Sequence, residues 1–250
     1  MVSGLRLALS WLTVLPVRGP SDVDRRAAGR AIALAPVVGV LLGVGAVAVA
    51  WSAQRIGAGA PMAGLLTVGA LALATRGMHL DGLADTADGL GSYGPPERAR
   101  EIMKGGAAGP FGVTAIVFAV GVQAVAFAAL AADGRWFALG LAVAVGRAMT
   151  VLACRRGVSA APGTGFGALV AGTQAPLVGA AWTLAALVGA VFAVPALIWL
   201  GPVAVVAAVA AVAVLVRHTV RRFGGLSGDV LGAVVEISVA VAALGFSLDP

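Results

Sequence analysis

Charge is what this sequence has least of. Asp, Glu, Lys and Arg make up 11% of its 250 residues, and hydrophobic residues make up 60%. A soluble domain of ordinary composition is about 25% charged. So few charges cannot coat a globule of this length, which excludes a soluble enzyme, an acidic disordered tail and a free-standing nucleic-acid binder. Cysteine is nearly absent too. A single residue, Cys154, rules out a disulfide framework and any CxxC metal site. Aromatics, at 6%, are too sparse for a β-barrel with aromatic girdles. Lys104 is the only lysine, and the remaining basic residues are arginines. What is left is an all-α, polytopic membrane helical bundle, in which most side chains face lipid or other apolar helices.

Seven apolar stretches are expected to span the bilayer: Ala31–Ala53, Pro61–Thr75, Gly112–Ala132, Trp136–Ala153, Pro176–Trp199, Pro202–Val216 and Val230–Leu248. Pro61–Thr75 and Pro202–Val216 fall short of the roughly 20 residues that a crossing needs and must borrow from their flanks. An eighth stretch, Leu5–Val17, is shorter still and interrupted by Pro16, so it is read as an interfacial or re-entrant segment. The basic residues sort themselves between these spans. Alternate connections hold 14 of them on one side and 2 on the other, with Arg147 alone inside a span. The basic side is expected to be cytoplasmic, with the N-terminus inside and the C-terminus outside. The net charge of +6 is then mainly a topology signal. The whole chain, residues 1–250, reads as one membrane-embedded domain.

With only 11 acids, each needs a reason. Asp81, Asp85 and Asp88 lie within eight positions at i, i+4 and i+7, within about 60° of one helical face. Leu80, Leu83, Ala84, Ala87 and Leu90 take the other side. Like charges so spaced repel, and no basic residue lies between Arg76 and Arg98 to relieve them. A solvated acidic face would intersperse Lys or Arg. The stripe instead suits a hard divalent cation, Mg²⁺ above all, whose remaining ligands are commonly phosphate oxygens. Gly82 and Gly89 flank the stripe and would let a bulky substrate approach the backbone. His79 falls on the far side of that helix.

A second acidic pair, Asp229 and Glu236, is also spaced i, i+7 and opens the last span after the run Gly224-Gly-Leu-Ser-Gly228. Asp229 sits at the mouth of the helix, where it also reads as an ordinary N-terminal charge. Glu236 lies two turns deeper, where an ionisable side chain marks a functional site. Arg147 is intramembrane as well, placed either to pair with Glu236 or to hold a phosphate. Basic groups on the same face, Lys104 and Arg222 among them, are candidate phosphate contacts. Together these point to phosphoryl transfer at a membrane surface.

Several blocks carry a resemblance. Gly77-Met-His-Leu-Asp-Gly-Leu-Ala-Asp-Thr-Ala-Asp-Gly89, Glu101-Ile-Met-Lys104, Gly109-Pro-Phe-Gly-Val113 and Arg222-Phe-Gly-Gly-Leu-Ser-Gly-Asp-Val-Leu-Gly232 with Glu236 resemble the signatures of the cobalamin synthase family. The likeness runs from about residue 5 to about residue 245. In that family the run after the Met-Lys is often acidic or polar, whereas here it is Gly105-Gly-Ala-Ala108.

The resemblance implies an adenosylcobinamide-GDP ribazoletransferase, working with Mg²⁺ on the cytoplasmic side of the plasma (inner) membrane. Its partners would be adenosylcobinamide-GDP, α-ribazole or its 5′-phosphate, and the lipid bilayer, with no nucleic acid; a homo-oligomer is compatible with it. Asp81, Asp85 and Asp88 would hold the metal. Asp229 or Glu236 would complete a second metal site or take the acceptor's proton. Lys104, Arg147 and Arg222 would bind phosphates. Two other classes share parts of the pattern. A CDP-alcohol-type phosphotransferase would show an Arg after Asp81-Gly82, and a cation transporter would place acids at mid-membrane in several spans.

Overall fold

The computed structural model describes residues 2–163 and 165–248. Among them lie twelve helices and no strand: α1 Val2–Leu12, α2 Arg25–Ala33, α3 Ala35–Arg55, α4 Ala60–Ala74, α5 Met78–Gly91, α6 Pro96–Met103, α7 Pro110–Ala132, α8 Trp136–Ala153, α9 Gly165–Val170, α10 Pro176–Ala190, α11 Leu200–Phe223 and α12 Gly228–Ser247. Proline in the first turn starts α3, α4, α6, α7 and α10, where its missing N–H costs nothing. Side chains start two others. The Asp24 carboxylate accepts from Ala27 N at the head of α2, and Ser227 Oγ accepts from Val230 N at the head of α12.

Each expected span contains a helix, with three changes of boundary. The first begins at Ala35 rather than Ala31, because Pro36 cannot continue α2 and the chain breaks at Leu34. The fifth stops at Ala190 and gives way to turns around Pro195, well before Trp199. The sixth is longer than its apolar run and carries its helix on to Phe223. Five helices (α3, α7, α8, α11 and α12) are long and apolar enough to cross a membrane by themselves. α4 and α5 follow one another with a bend of 91°. Arg76 and Gly77, both left-handed (φ 58° and 68°), make that turn. With three carboxylates on it, α5 runs along the end of the bundle rather than across it.

The bundle closes on small residues. A Cβ on Gly43 of α3 would stand 2.5 Å from the Gly140 carbonyl of α8, and one on Gly64 of α4 would stand 2.1 Å from the Ala124 carbonyl of α7. Backbones meet at this range because apolar tails drive no helix association in lipid, so close packing must do so. α8 lies between α3 and α12 and is buried along most of its length. Val44, Leu73, Phe118, Leu184 and Val214 point outward, as lipid-facing side chains do. α1, the expected interfacial segment, packs on α2 and α3, with Leu7 and Ala8 buried. Across the loop after α8, Arg156 N donates to Gln174 O and Gln174 N to Cys154 O. That closed loop presents α9, whose Phe166 meets Trp11 of α1 edge-on with ring centres 5.0 Å apart.

Candidate active site

The four sequence blocks interlock. α5 crosses the head of α12 where two glycines face each other. A Cβ on Gly82 would lie 2.6 Å from the Asp229 carbonyl, and one on Gly232 would lie 3.0 Å from the His79 carbonyl. A Cβ on Gly89 would lie 2.7 Å from Met103 of α6 and 3.1 Å from Phe223 of α11. The open approach expected for a ligand at Gly82 and Gly89 is therefore filled by protein. Both glycines act by letting helices touch.

That crossing brings Asp81 and Asp229 onto one cavity of about 350 Å³. Its walls include Trp11 and Phe166, Ile32 and Leu231. Arg76 also lines it, and His79, Arg147 and Thr150 lie deeper. Asp81 is exposed, and Ser227 Oγ lies 3.2 Å from Asp229 Oδ2, to which its O–H donates. Arg76 Nη2 donates to the Trp11 carbonyl at 3.0 Å, tying the end of α1 over the site.

Asp85, half-buried, follows one turn along α5. Burial first, then the charges of Asp81, Asp229 and Asp88, push its carboxyl up to about 6. Among the described residues the ion pairs are Arg98–Glu101 and Arg100–Glu97, both away from this cluster. The acids at the crossing thus form no ion pair within 4 Å among the described residues. No three Asp, Glu, His or Cys side chains among the described residues are arranged to hold an ion by themselves.

Asp88, the third member of the stripe, does something the sequence did not suggest. Its carboxylate is buried and accepts from Gly109 N at 2.6 Å and Gly112 N at 2.9 Å. It caps α7, satisfying N–H groups that the helix leaves free and countering the positive end of its dipole. The Gly109-Pro-Phe-Gly112 block is shaped for that contact, since a Cβ on either glycine would lie within 2.6 Å of the Asp88 carboxylate.

The remaining expected residues disperse. Glu236 turns to α7, where Gln123 Nε2 donates to Glu236 Oε2 at 2.7 Å. It does not line the cavity, and no ion pair within 4 Å joins it to Arg147. Arg222 donates to the carbonyls of Ser92 and Gly94, closing the end of α5, so its guanidinium is engaged with backbone rather than free for phosphate. Lys104 is exposed after α6, facing the loop at Gly163. Arg147 is 3% exposed, and its Nη2 lies 3.3 Å from His79 Nδ1. A guanidinium only donates, so this His79 nitrogen accepts and the ring is neutral, its proton on Nε2. Burial and the Arg147 charge both hold the imidazole well below its ordinary range.

Sequence reasoning passes over Gln123, counts Arg76 only among the basic groups of the same side, and sets His79 on the far side of its helix, whereas it lines one cavity with Asp81. Its one usable signal was that His79 and Gln123 are polar side chains in otherwise apolar surroundings. Their partners lie 68 and 113 residues away in the chain.

The family model described as Cobalamin-5-phosphate synthase matches residues 4–247. Curated relatives span nearly the whole chain. A protein of Nocardioides sp. is 41% identical over 243 residues, covering 97% of both chains. One from Corynebacterium efficiens is 39% identical, covering 98% of this chain and 90% of its own. One from Frankia casuarinae is 40% identical, covering 98% and 94%. All three are named adenosylcobinamide-GDP ribazoletransferase. No solved structure matches.

Proposed function

The chain belongs to the cobalamin-5-phosphate synthase family, and from that premise we propose that it joins α-ribazole, or its 5′-phosphate, to adenosylcobinamide-GDP with release of GMP. The observation that carries the reading is the crossing of α5 and α12, which sets Asp81 and Asp229 on one cavity beside Asp85. The oxygen of a free ribose hydroxyl of the acceptor, and not the 5′ oxygen that carries the phosphate in the phosphorylated acceptor, attacks the phosphorus that bears the cobinamide. The bond to the bridging oxygen breaks, and GMP departs with that oxygen. Asp229 takes the hydroxyl proton, with Ser227 Oγ–H holding one of its oxygens and leaving the other for the acceptor. Glu236, bound to Gln123, fixes α12 against α7 from two turns below.

Asp81, Asp85 and Asp229, which form no ion pair within 4 Å among the described residues, are hard oxygen donors of the kind that suits Mg²⁺. That ion commonly takes one or two carboxylates and completes its shell with substrate phosphates. Asp81 and Asp85 would hold it, with Asp88 supporting them through the α7 cap. When bound, it would neutralise the pyrophosphate and ease departure of GMP.

The direct test follows GMP release by purified protein given adenosylcobinamide-GDP and α-ribazole 5′-phosphate, with and without Mg²⁺. Release that needs both substrates and Mg²⁺ is expected, and no release with any divalent metal defeats the reading. The Mg²⁺ requirement should also steepen in acid. Asp85 gains a proton as pH falls through about 6, and that proton competes with the cation. Half-saturating Mg²⁺ should therefore rise between pH 7.5 and 5.5. An unchanged value would remove Asp85 from the ion's ligands.

We propose that the site faces the cytoplasm across the plasma membrane, an orientation that the asymmetry of basic connections supports. Tyr93, 94% exposed just past α5, offers a labelling position, and buried Cys154 will stay silent. A Tyr93→Cys variant should react with an impermeant thiol reagent from the cytoplasmic side of inverted vesicles. Reaction from the opposite side alone would reverse the topology.

A further inference from the structure

Arg147 is a buried guanidinium that forms no ion pair within 4 Å among the described residues. It is 3% exposed on α8, its Nε has no partner, and its one side-chain contact is the neutral ring of His79. The charge of Glu236 reaches Arg147 across the bundle, but its Oε2 accepts from Gln123 and no carboxylate lies within 4 Å of the guanidinium. A charge in such a place is costly unless an anion meets it. Arg147 nevertheless lines the cavity whose rim holds Asp81 and Asp229. The cavity therefore carries Asp81 and Asp229 at its rim, with Arg76 held there by the Trp11 carbonyl, and a buried cation at depth, and its walls between are largely apolar and aromatic.

We propose that Arg147 is the anion site of this cavity and takes a phosphoryl group of a substrate, with His79 as the positioning residue that holds the guanidinium toward it. This rests on the transferase reading of the cavity and adds to it the end at which the phosphate is gripped. A guanidinium presents its N–H groups as a planar fork that matches two phosphoryl oxygens. His79 suits the positioning role because a neutral ring accepts one of those N–H groups without supplying a competing charge. An acid there would pair with Arg147 and close the site. Two phosphoryl groups share this chemistry, the pyrophosphate of the nucleotide-activated donor and the 5′-phosphate of the acceptor.

The test uses the full chain in lipid nanodiscs and five proteins: the parent, Arg147→Met, Arg147→Lys, His79→Leu and His79→Asn. The last keeps an acceptor near the position of Nδ1. Inhibition of GMP release by inorganic pyrophosphate is measured, together with KM for adenosylcobinamide-GDP, α-ribazole 5′-phosphate and free α-ribazole. Loss of the charged hydrogen bonds should weaken pyrophosphate inhibition about 10-fold or more in Arg147→Met and less in Arg147→Lys. His79→Leu should follow Arg147→Met, and His79→Asn should restore most of the loss.

A KM rise confined to the phosphorylated acceptor places that substrate's phosphate on Arg147, and a rise confined to the donor places the pyrophosphate there. Unaltered inhibition, within twofold, in a folded Arg147→Met protein overturns the site while leaving the transferase reading intact. If that variant does not fold, the same twofold criterion applies to Arg147→Lys and His79→Leu. Failure of His79→Asn to recover what His79→Leu loses overturns the positioning role. A parent that binds pyrophosphate by calorimetry yet releases no GMP would instead keep the anion site and defeat the transferase reading.

Discussion

Asp85→Asn is expected to lower GMP release by about 100-fold or more while leaving the protein at least as stable as the parent. The two halves of this result have one cause. Asp85 lies among three other carboxylates, with Asp81, Asp229 and Asp88 all raising its proton affinity. A carboxyl whose folded value is raised to about 6 is disfavoured in its charged form by folding. The penalty is absent below the ordinary carboxylate value near 4 and complete above about 6. An uncharged amide of the same shape removes that penalty at neutral pH. It also removes the negative charge on which a divalent cation and its pyrophosphate depend. Activity and melting temperature, measured on the same preparation, separate this from simple misfolding. Turnover within a few-fold of the parent would show that α5 holds no metal at this position.

Asp88→Asn is expected to give the opposite signature, a loss of stability first and a loss of activity through it. Both carboxylate oxygens of Asp88 accept from backbone N–H groups at the head of α7. An asparagine supplies one acceptor and turns an N–H₂ toward the other N–H, leaving buried donors unsatisfied. Such a loss costs about 1–3 kcal/mol, and in a chain of this size each kcal/mol lowers Tm by roughly 2–4 °C. A melting temperature several degrees below the parent's is therefore expected, with half-saturating Mg²⁺ little changed. Parental stability combined with a large rise in the Mg²⁺ requirement would return Asp88 to the metal.

The contrast between these neighbours shows how far a helical stripe can be read. Spacing alone put Asp81, Asp85 and Asp88 within one narrow arc, and the structure keeps them on one helix. Where each carboxylate ends depends on what lies across from it. Asp81 opens into the cavity, Asp85 stands between, and Asp88 is buried at α7. Likewise Asp229 and Glu236 share a face of α12, yet the first lines the cavity and the second meets Gln123. Gly82 and Gly89 were legible as places where something approaches the backbone. That the visitor is another helix was not.

By itself the sequence determined the membrane-embedded helical class, the approximate position of each long helix and the short list of acids on which chemistry must rest. These are local properties: the length of an apolar run, the proline that starts a helix, and the scarcity of charge that makes each acid conspicuous. Tertiary structure alone decided which of those acids share a cavity and which partners the buried polar groups take. Those outcomes turn on two left-handed residues, Arg76 and Gly77, that fold α5 across the bundle, and on Gly82 meeting α12. Contacts such as His79 with Arg147 and Asp88 with Gly109 follow from that crossing. They join elements whose sequence spacing carries no periodic signal.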